Sequence, residues 1–203
     1  VAKSPAPTED RALALDLGHA WVFAVIDGAG GMGGGGRAAD VVASTIEALA
    51  RRADPGDLAD AGFWCVVLAE CDAAALADAR AGEAAAAVLC VTGEGAFGAS
   101  VGDCRIWARG GGEVVELTAS QRRRPMLGDG GATPWPLDTQ ARARAWALAT
   151  DGVDVFGRAR EVGARWAESG DLGAFARELV ELGRGPGGFG DDVAALVVAR
   201  GDG

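Results

Sequence analysis

Three stretches of the chain place carboxylates at the tips of apolar runs. Asp27 ends "WVFAVI" and is followed by Gly28; Asp151 ends "AWALAT" and is followed by Gly152; Asp191 and Asp192 precede "VAALVVAR". Glu9 and Asp10 stand just ahead of a further run, "RALALDL". Carboxylate oxygens gathered at strand ends suit Mg²⁺ or Mn²⁺, which take oxygen ligands and keep several waters. A glycine neighbour lets a backbone carbonyl approach closely enough to join the shell. Two such ions about 3.5–4 Å apart lower the pKa of a bridging water and clamp the oxygens of a phosphoryl group. A single Asp-Gly marks nothing more than a turn. Three acidic tips together with Glu9-Asp10 point to a cation site.

The glycine-rich stretch after Asp27 suggests two other chemistries, and neither fits. A phosphate-cradling Walker loop needs a lysine, and Lys3 is the sole lysine of the chain. Gly31, Gly33 and Gly36 can be forced into a dinucleotide-binding pattern, but that pattern puts glycines, not Asp-Gly, at the strand end. Nucleotide binding therefore rests on the glycine run alone. The formal charge of −10 repels nucleic acid and anionic membranes, so neither is expected as a partner. No apolar run approaches the roughly 18 residues of a membrane span, and no secretory leader is read at the start. Cys65, Cys71, Cys90 and Cys104 lack C-x-x-C spacing and His19 is the sole histidine, which argues against zinc. Buried free thiols imply a reducing, cytoplasmic setting.

The elements that must hold the carboxylates can be read around them. At 203 residues the chain is expected to form one domain, 1–203. Residues 11–17 and 19–27 read as a hairpin turning at Gly18, and 37–52 as a helix by apolar spacing. Asp57 is placed as the cap of a second helix reaching about Arg80. Strands are expected to end at Val91, Gly102, Arg109 and Leu117, then a long loop over 118–140, then a strand entering Asp151. Helices around 161–168 and 172–182 precede the closing strand. Hairpins with helices grouped between them give an α+β class with an antiparallel core.

Taken in order, these motifs resemble the metal-dependent, type 2C serine/threonine protein phosphatases. The similar stretches are "TEDR", "FAVIDGAGGMGGG", "ASVGDCRIWARGGGEVVELT", "ALATDG" and "GDDVAALVVAR". The resemblance implies an αββα sandwich of two antiparallel sheets flanked by helices. It implies two Mn²⁺ or Mg²⁺ ions bridged by Asp27, with the Gly28 carbonyl on one ion and Asp151 and Asp191 completing the other. Glu9 and Asp10 would orient metal-bound waters, and Asp103 would serve a weaker third ion. A metal-bridging hydroxide would then hydrolyse phosphoserine or phosphothreonine of a phosphorylated protein substrate directly, with no covalent enzyme intermediate.

The sequence also departs from the family pattern. Pro5 stands where an arginine often holds the substrate phosphate, leaving that role unassigned, with Lys3 or Arg11 as substitutes. Ala29 replaces a proposed general-acid histidine, Cys104 a serine and Ala194 a threonine. Asp154 lies one residue short of the position of a second third-ion aspartate. The arginines of "SQRRRPMLGDGGATPWP" read as a solvated loop, or alternatively as a rim for phosphate. His19 and the tryptophans read as structural. The missing arginine motivates the alternative function, a catalytically weak relative acting as a binding or regulatory module.

Overall fold

The computed structural model describes residues 1–3, 7–29, 33–139, 143–169 and 171–201. The expected hairpin is β1 (Arg11–Asp16) and β2 (Ala20–Gly28), paired antiparallel with Arg11 opposite Ile26 and Asp16 opposite Trp21. After the glycines comes α1 (Gly35–Ala50). A one-turn helix, α2 (Pro55–Leu58), precedes α3 (Ala61–Ala77). Asp57 is therefore not the cap of the long helix. It closes a capping box with Asp54 around Pro55, and Asp60 caps α3 by accepting from the Gly62 N–H.

Strands β3 (Ala84–Thr92), β4 (Ala96–Val101), β5 (Arg105–Gly110) and β6 (Glu113–Glu116) follow as expected. The stretch expected to be loop contains β7 (Trp135–Thr139), which pairs with β4 and places Pro136 opposite Ala99. Proline is tolerated there because β7 is an edge strand. Then come β8 (Ala145–Ala149), α4 (Val162–Glu168) and α5 (Leu172–Glu181). A short hairpin of β9 (Arg184–Gly185) and β10 (Gly188–Phe189) leads to β11 (Ala195–Ala199).

The strands form a five-stranded sheet, β1-β2-β3-β4-β7, and a four-stranded sheet, β11-β8-β5-β6, with every pairing antiparallel. Side-chain alternation sorts the core into layers. On β2, Val22, Ala24 and Ile26 pack with Ala38, Val42 and Ile46 of α1 and with Trp64 and Leu68 of α3. The opposite face of β2, with Phe23 and Val25, meets Ile106, Trp146 and Leu148 of the other sheet. Trp107, Ala147 and Ala149 turn outward onto Trp166, Phe175 and Leu179 of α4 and α5. The layers thus run helix, sheet, sheet, helix, the expected αββα sandwich. The alanines of β3 are buried on both faces, so the middle strand carries little side-chain bulk.

The glycines after the acidic tips serve chain crossings. A Cβ on Gly28 would collide with the carbonyl oxygens of Gly35 and Glu9, and one on Gly152 with the carbonyl oxygen of Asp192. Glycine there lets the segment bearing Glu9 and the start of α1 close onto β2, and the segment bearing Asp192 close onto Asp151. The close approach is chain on chain.

Candidate metal centre

The antiparallel pairings bring chain segments far apart in sequence to one end of the sandwich. Asp27 lies at the end of β2, opposite Ala85 of β3. Asp103 sits in the turn between β4 and β5, and Asp151 opens a single 3₁₀ turn immediately after β8. Carboxylate oxygens of these three lie within 4.8 Å of one another. Beside them Asp10 is buried, with Oδ2 accepting from the Thr150 hydroxyl at 2.7 Å. Thr150 also exchanges bonds with Ala194: its N–H donates to the Ala194 carbonyl, and its hydroxyl oxygen accepts from the Ala194 N–H at 3.0 Å. The entry to β1, the end of β8 and the approach to β11 are thereby locked together.

Asp27, Asp103 and Asp151 share a cleft of about 530 Å³ with Asp10, Glu9 and Asp191. Asp191 stands apart from the three-carboxylate cluster: its Oδ1 accepts from Lys3 Nζ at 2.6 Å. Glu9 accepts from the Gly36 N–H at the start of α1, at 3.2 Å. Asp192 also lines the cleft, and it takes the backbone N–H groups of Lys3 and Glu9, each at 2.8 Å. It is the latch that holds the acidic N-terminal segment against the β11 end. Nothing in the pattern of the sequence distinguished its role from that of Asp191.

The charges are arranged at a cost. Burial, and then the charges of Asp10 and Asp151, raise the Asp27 carboxyl to about 9. Burial raises Asp10 to about 6 against the opposing bond from Thr150, and burial followed by Asp151 also raises Asp103. Asp192 goes the other way: burial pushes it up, but the N–H groups of Lys3 and Glu9, the Thr8 hydroxyl and the Lys3 charge outweigh burial and hold it low. A hard-oxygen cluster that resists ionisation by itself is what a divalent cation would relieve, so the donor set fits Mg²⁺ or Mn²⁺.

Comparison with known proteins agrees with this geometry. The family model for protein phosphatase 2C matches residues 2–125. The chain belongs to the protein phosphatase 2C family. This makes it an enzyme of the metal-dependent protein phosphatase class. The match ends before Asp151, which the fold brings to Asp27, and before Asp191, which lines the same cleft. The solved structure of the serine/threonine phosphatase Stp1 from Staphylococcus aureus superposes with a TM-score of 0.75 at 15% identity, covering 98% of this chain and 91% of that one. The Mycobacterium tuberculosis serine/threonine phosphatase PstP/Ppp gives 0.75 at 18% identity, covering 97% and 93%. PppA, a regulatory component of T6SS in Pseudomonas aeruginosa, gives 0.71 at 21%, covering 97% and 92%. At these identities the likeness is one of fold. No curated protein matches the sequence.

The acidic cleft also has cations. Lys3 and Arg124 both line it. Arg124 reaches Glu83 at 2.8 Å while staying largely exposed, and Arg123 stands 3.8 Å from Asp103. One member of the arginine loop, Arg124, thus lines the cleft, while Arg123 and Arg124 both stay largely exposed to solvent. Arg11 is not among the residues lining the cleft; its guanidinium binds Asp40 and the carbonyls of Thr8 and Asp10. Asp154 is likewise committed, to Arg105 at 2.7 Å and the Ala159 N–H at 2.8 Å. Pro5 lies outside the described residues. The four cysteines are free, and burial pushes the thiols up, to about 12 for Cys71 and Cys90, so none resembles an activated nucleophile.

Proposed function

We propose that this phosphatase hydrolyses phosphoserine or phosphothreonine in a protein substrate, with Mg²⁺ or Mn²⁺, by direct attack of water on phosphorus. The observation that carries the reading is the convergence of Asp27, Asp103 and Asp151 at the mouth of one cleft, oxygens within 4.8 Å. Asp27, the Gly28 carbonyl, Asp151 and Asp191 would hold two ions, and Asp103 a weaker third. Bound ions would lower the pKa of a water and offset the charge of the phosphoryl oxygens.

The chain's own groups supply the rest. Asp10, held by the Thr150 hydroxyl, and Glu9, held by the Gly36 N–H, would accept hydrogen bonds from water in the cleft. Lys3 and Arg124, on its rim, would hold the substrate phosphate in place of the missing arginine. We further propose a single domain over 1–203 and a cytoplasmic setting; among the described residues no helix is long and apolar enough to cross a membrane.

One observation favours a second reading, a catalytically weak binding or regulatory module: the Lys3 ammonium already sits on Asp191 at 2.6 Å. Release of phosphate from phosphothreonine, phosphoserine and phosphotyrosine peptides separates the two. The enzyme reading predicts turnover of the first two that stops with EDTA and returns with Mn²⁺. A folded protein that releases phosphate from none of them is the module.

A further inference from the structure

The apolar layer between the two sheets is not closed at the end away from the acidic cleft. Trp21 and Asp27 lie six positions apart on β2, about 20 Å along a strand. There the layer opens into a cavity of about 630 Å³, within the range of small-molecule sites. Phe23 and Val91 line it from one sheet, and Trp146 and Val198 from the other. Trp21 stands at its mouth, 47% exposed, with its ring within 6° of parallel to Phe23 at a centroid distance of 6.0 Å. Gly18, Gly93 and Gly201, which have no side chains, leave the mouth unfilled.

Two polar features stand in this apolar setting. The Trp146 ring is buried in the wall, and its Nε1–H has no partner. A buried donor left unpaired is uncommon and costly. The Arg200 guanidinium lies 5.9 Å from the same ring. Its Nη2 donates to the carbonyls of Thr92 and Gly95, while among the described residues Nε and Nη1 have no partner and no carboxylate pairs with it. On a chain with a net charge of −10, no carboxylate among the described residues lines this cavity.

We propose that the open end of the sandwich is a binding site for a small planar aromatic carboxylate, its ring against Trp21 and Phe23 at the mouth and its anion on Arg200. Flat aromatic walls accept a ring, and the guanidinium, with two donors unspent, accepts the carboxylate. The site is separate from the acidic cleft and does not depend on the phosphatase chemistry.

The test titrates metal-free wild-type protein with 2-naphthoate and, in parallel, with the neutral 2-naphthylmethanol. The readout is the ¹H–¹⁵N signals of the six tryptophan indoles, assigned by backbone correlation. Naphthoate should move the Trp146 and Trp21 indole signals, and should bind about tenfold more tightly than the alcohol, as expected for a charge-assisted bond. Arg200→Gln should reduce naphthoate binding to the level of the alcohol. Absence of shifts at millimolar naphthoate, equal binding of acid and alcohol, or unchanged affinity in Arg200→Gln would overturn the proposal. The acid–alcohol comparison on wild-type protein decides it even if the variant does not fold.

Discussion

Replacing Asp27 by asparagine should abolish phosphatase activity and at the same time stabilise the metal-free protein. The second effect follows from the raised carboxyl. Its folded value is about 9 against an ordinary 3.8, so between those values the native state binds more protons than the unfolded chain. Metal-free stability therefore falls as pH rises from about 4 towards 9. At 1.36 kcal/mol per unit, carrying that proton at pH 7 costs about 4 kcal/mol. The hydrogen bond of Asp27 to Asp151 and solvent screening in the open cleft reduce the cost to about 2 kcal/mol. Asparagine resembles the protonated carboxyl without that cost. For a chain of this size about 2 kcal/mol corresponds to a rise in Tm of roughly 4–8 °C. The assay is thermal unfolding of both proteins in EDTA at pH 4.5, 6 and 7.5. The advantage of the variant should be largest at pH 7.5 and nearly gone at pH 4.5. Saturating Mn²⁺ should reverse the order, since a ligand at 100 times its Kd adds about 2.7 kcal/mol to the protein that binds it. A variant less stable than wild type in EDTA, or an advantage independent of pH, would refute the reasoning.

Other perturbations separate the roles of the neighbouring groups. Lys3→Met and Arg124→Gln should each raise KM for a phosphopeptide by about three- to tenfold and change kcat less, because both are exposed rim cations; steady-state kinetics checks this. Asp192→Ala removes the acceptor of two backbone N–H groups and should cost about 2 kcal/mol in denaturant unfolding. Because the Asp192 carboxyl is held low, its contribution is present above the ordinary carboxylate value and lost as pH falls through its folded value, opposite in sign to Asp27. Thr150→Val leaves Asp10 without its hydroxyl donor, and calorimetry should show a loss of about 1–3 kcal/mol at neutral pH.

Much of the site was legible because strand ends are legible. "WVFAVIDG" and "AWALATDG" each announce a buried strand, its end and a carboxylate at that end, and antiparallel pairing then has few ways to arrange them. The hidden parts depend on contacts between distant segments. Asp191 and Asp192 are adjacent, chemically alike and both line the cleft, yet one accepts from the Lys3 ammonium while the other holds the backbone of Lys3 and Glu9. Strand β7 was hidden because Pro136 reads as a breaker and only its place at the sheet edge permits it. Arg124 could be read only as one of two alternatives, because its loop is polar throughout and its ion pair with Glu83, just ahead of β3, joins segments distant in sequence. The glycines after Asp27 and Asp151 were recognised, but the cause found in the fold is the crossing of chains, which no local pattern states.

The central claim is that the carboxylates converging at Asp27 hold the cations that make this chain a working phosphatase. The most direct measurement is hydrolysis of p-nitrophenyl phosphate in EDTA, Mg²⁺ and Mn²⁺, with wild type beside Asp27→Asn. Wild-type turnover should require Mg²⁺ or Mn²⁺ and be absent from the variant in every condition. Turnover in EDTA, or a variant that hydrolyses at the wild-type rate, would contradict it.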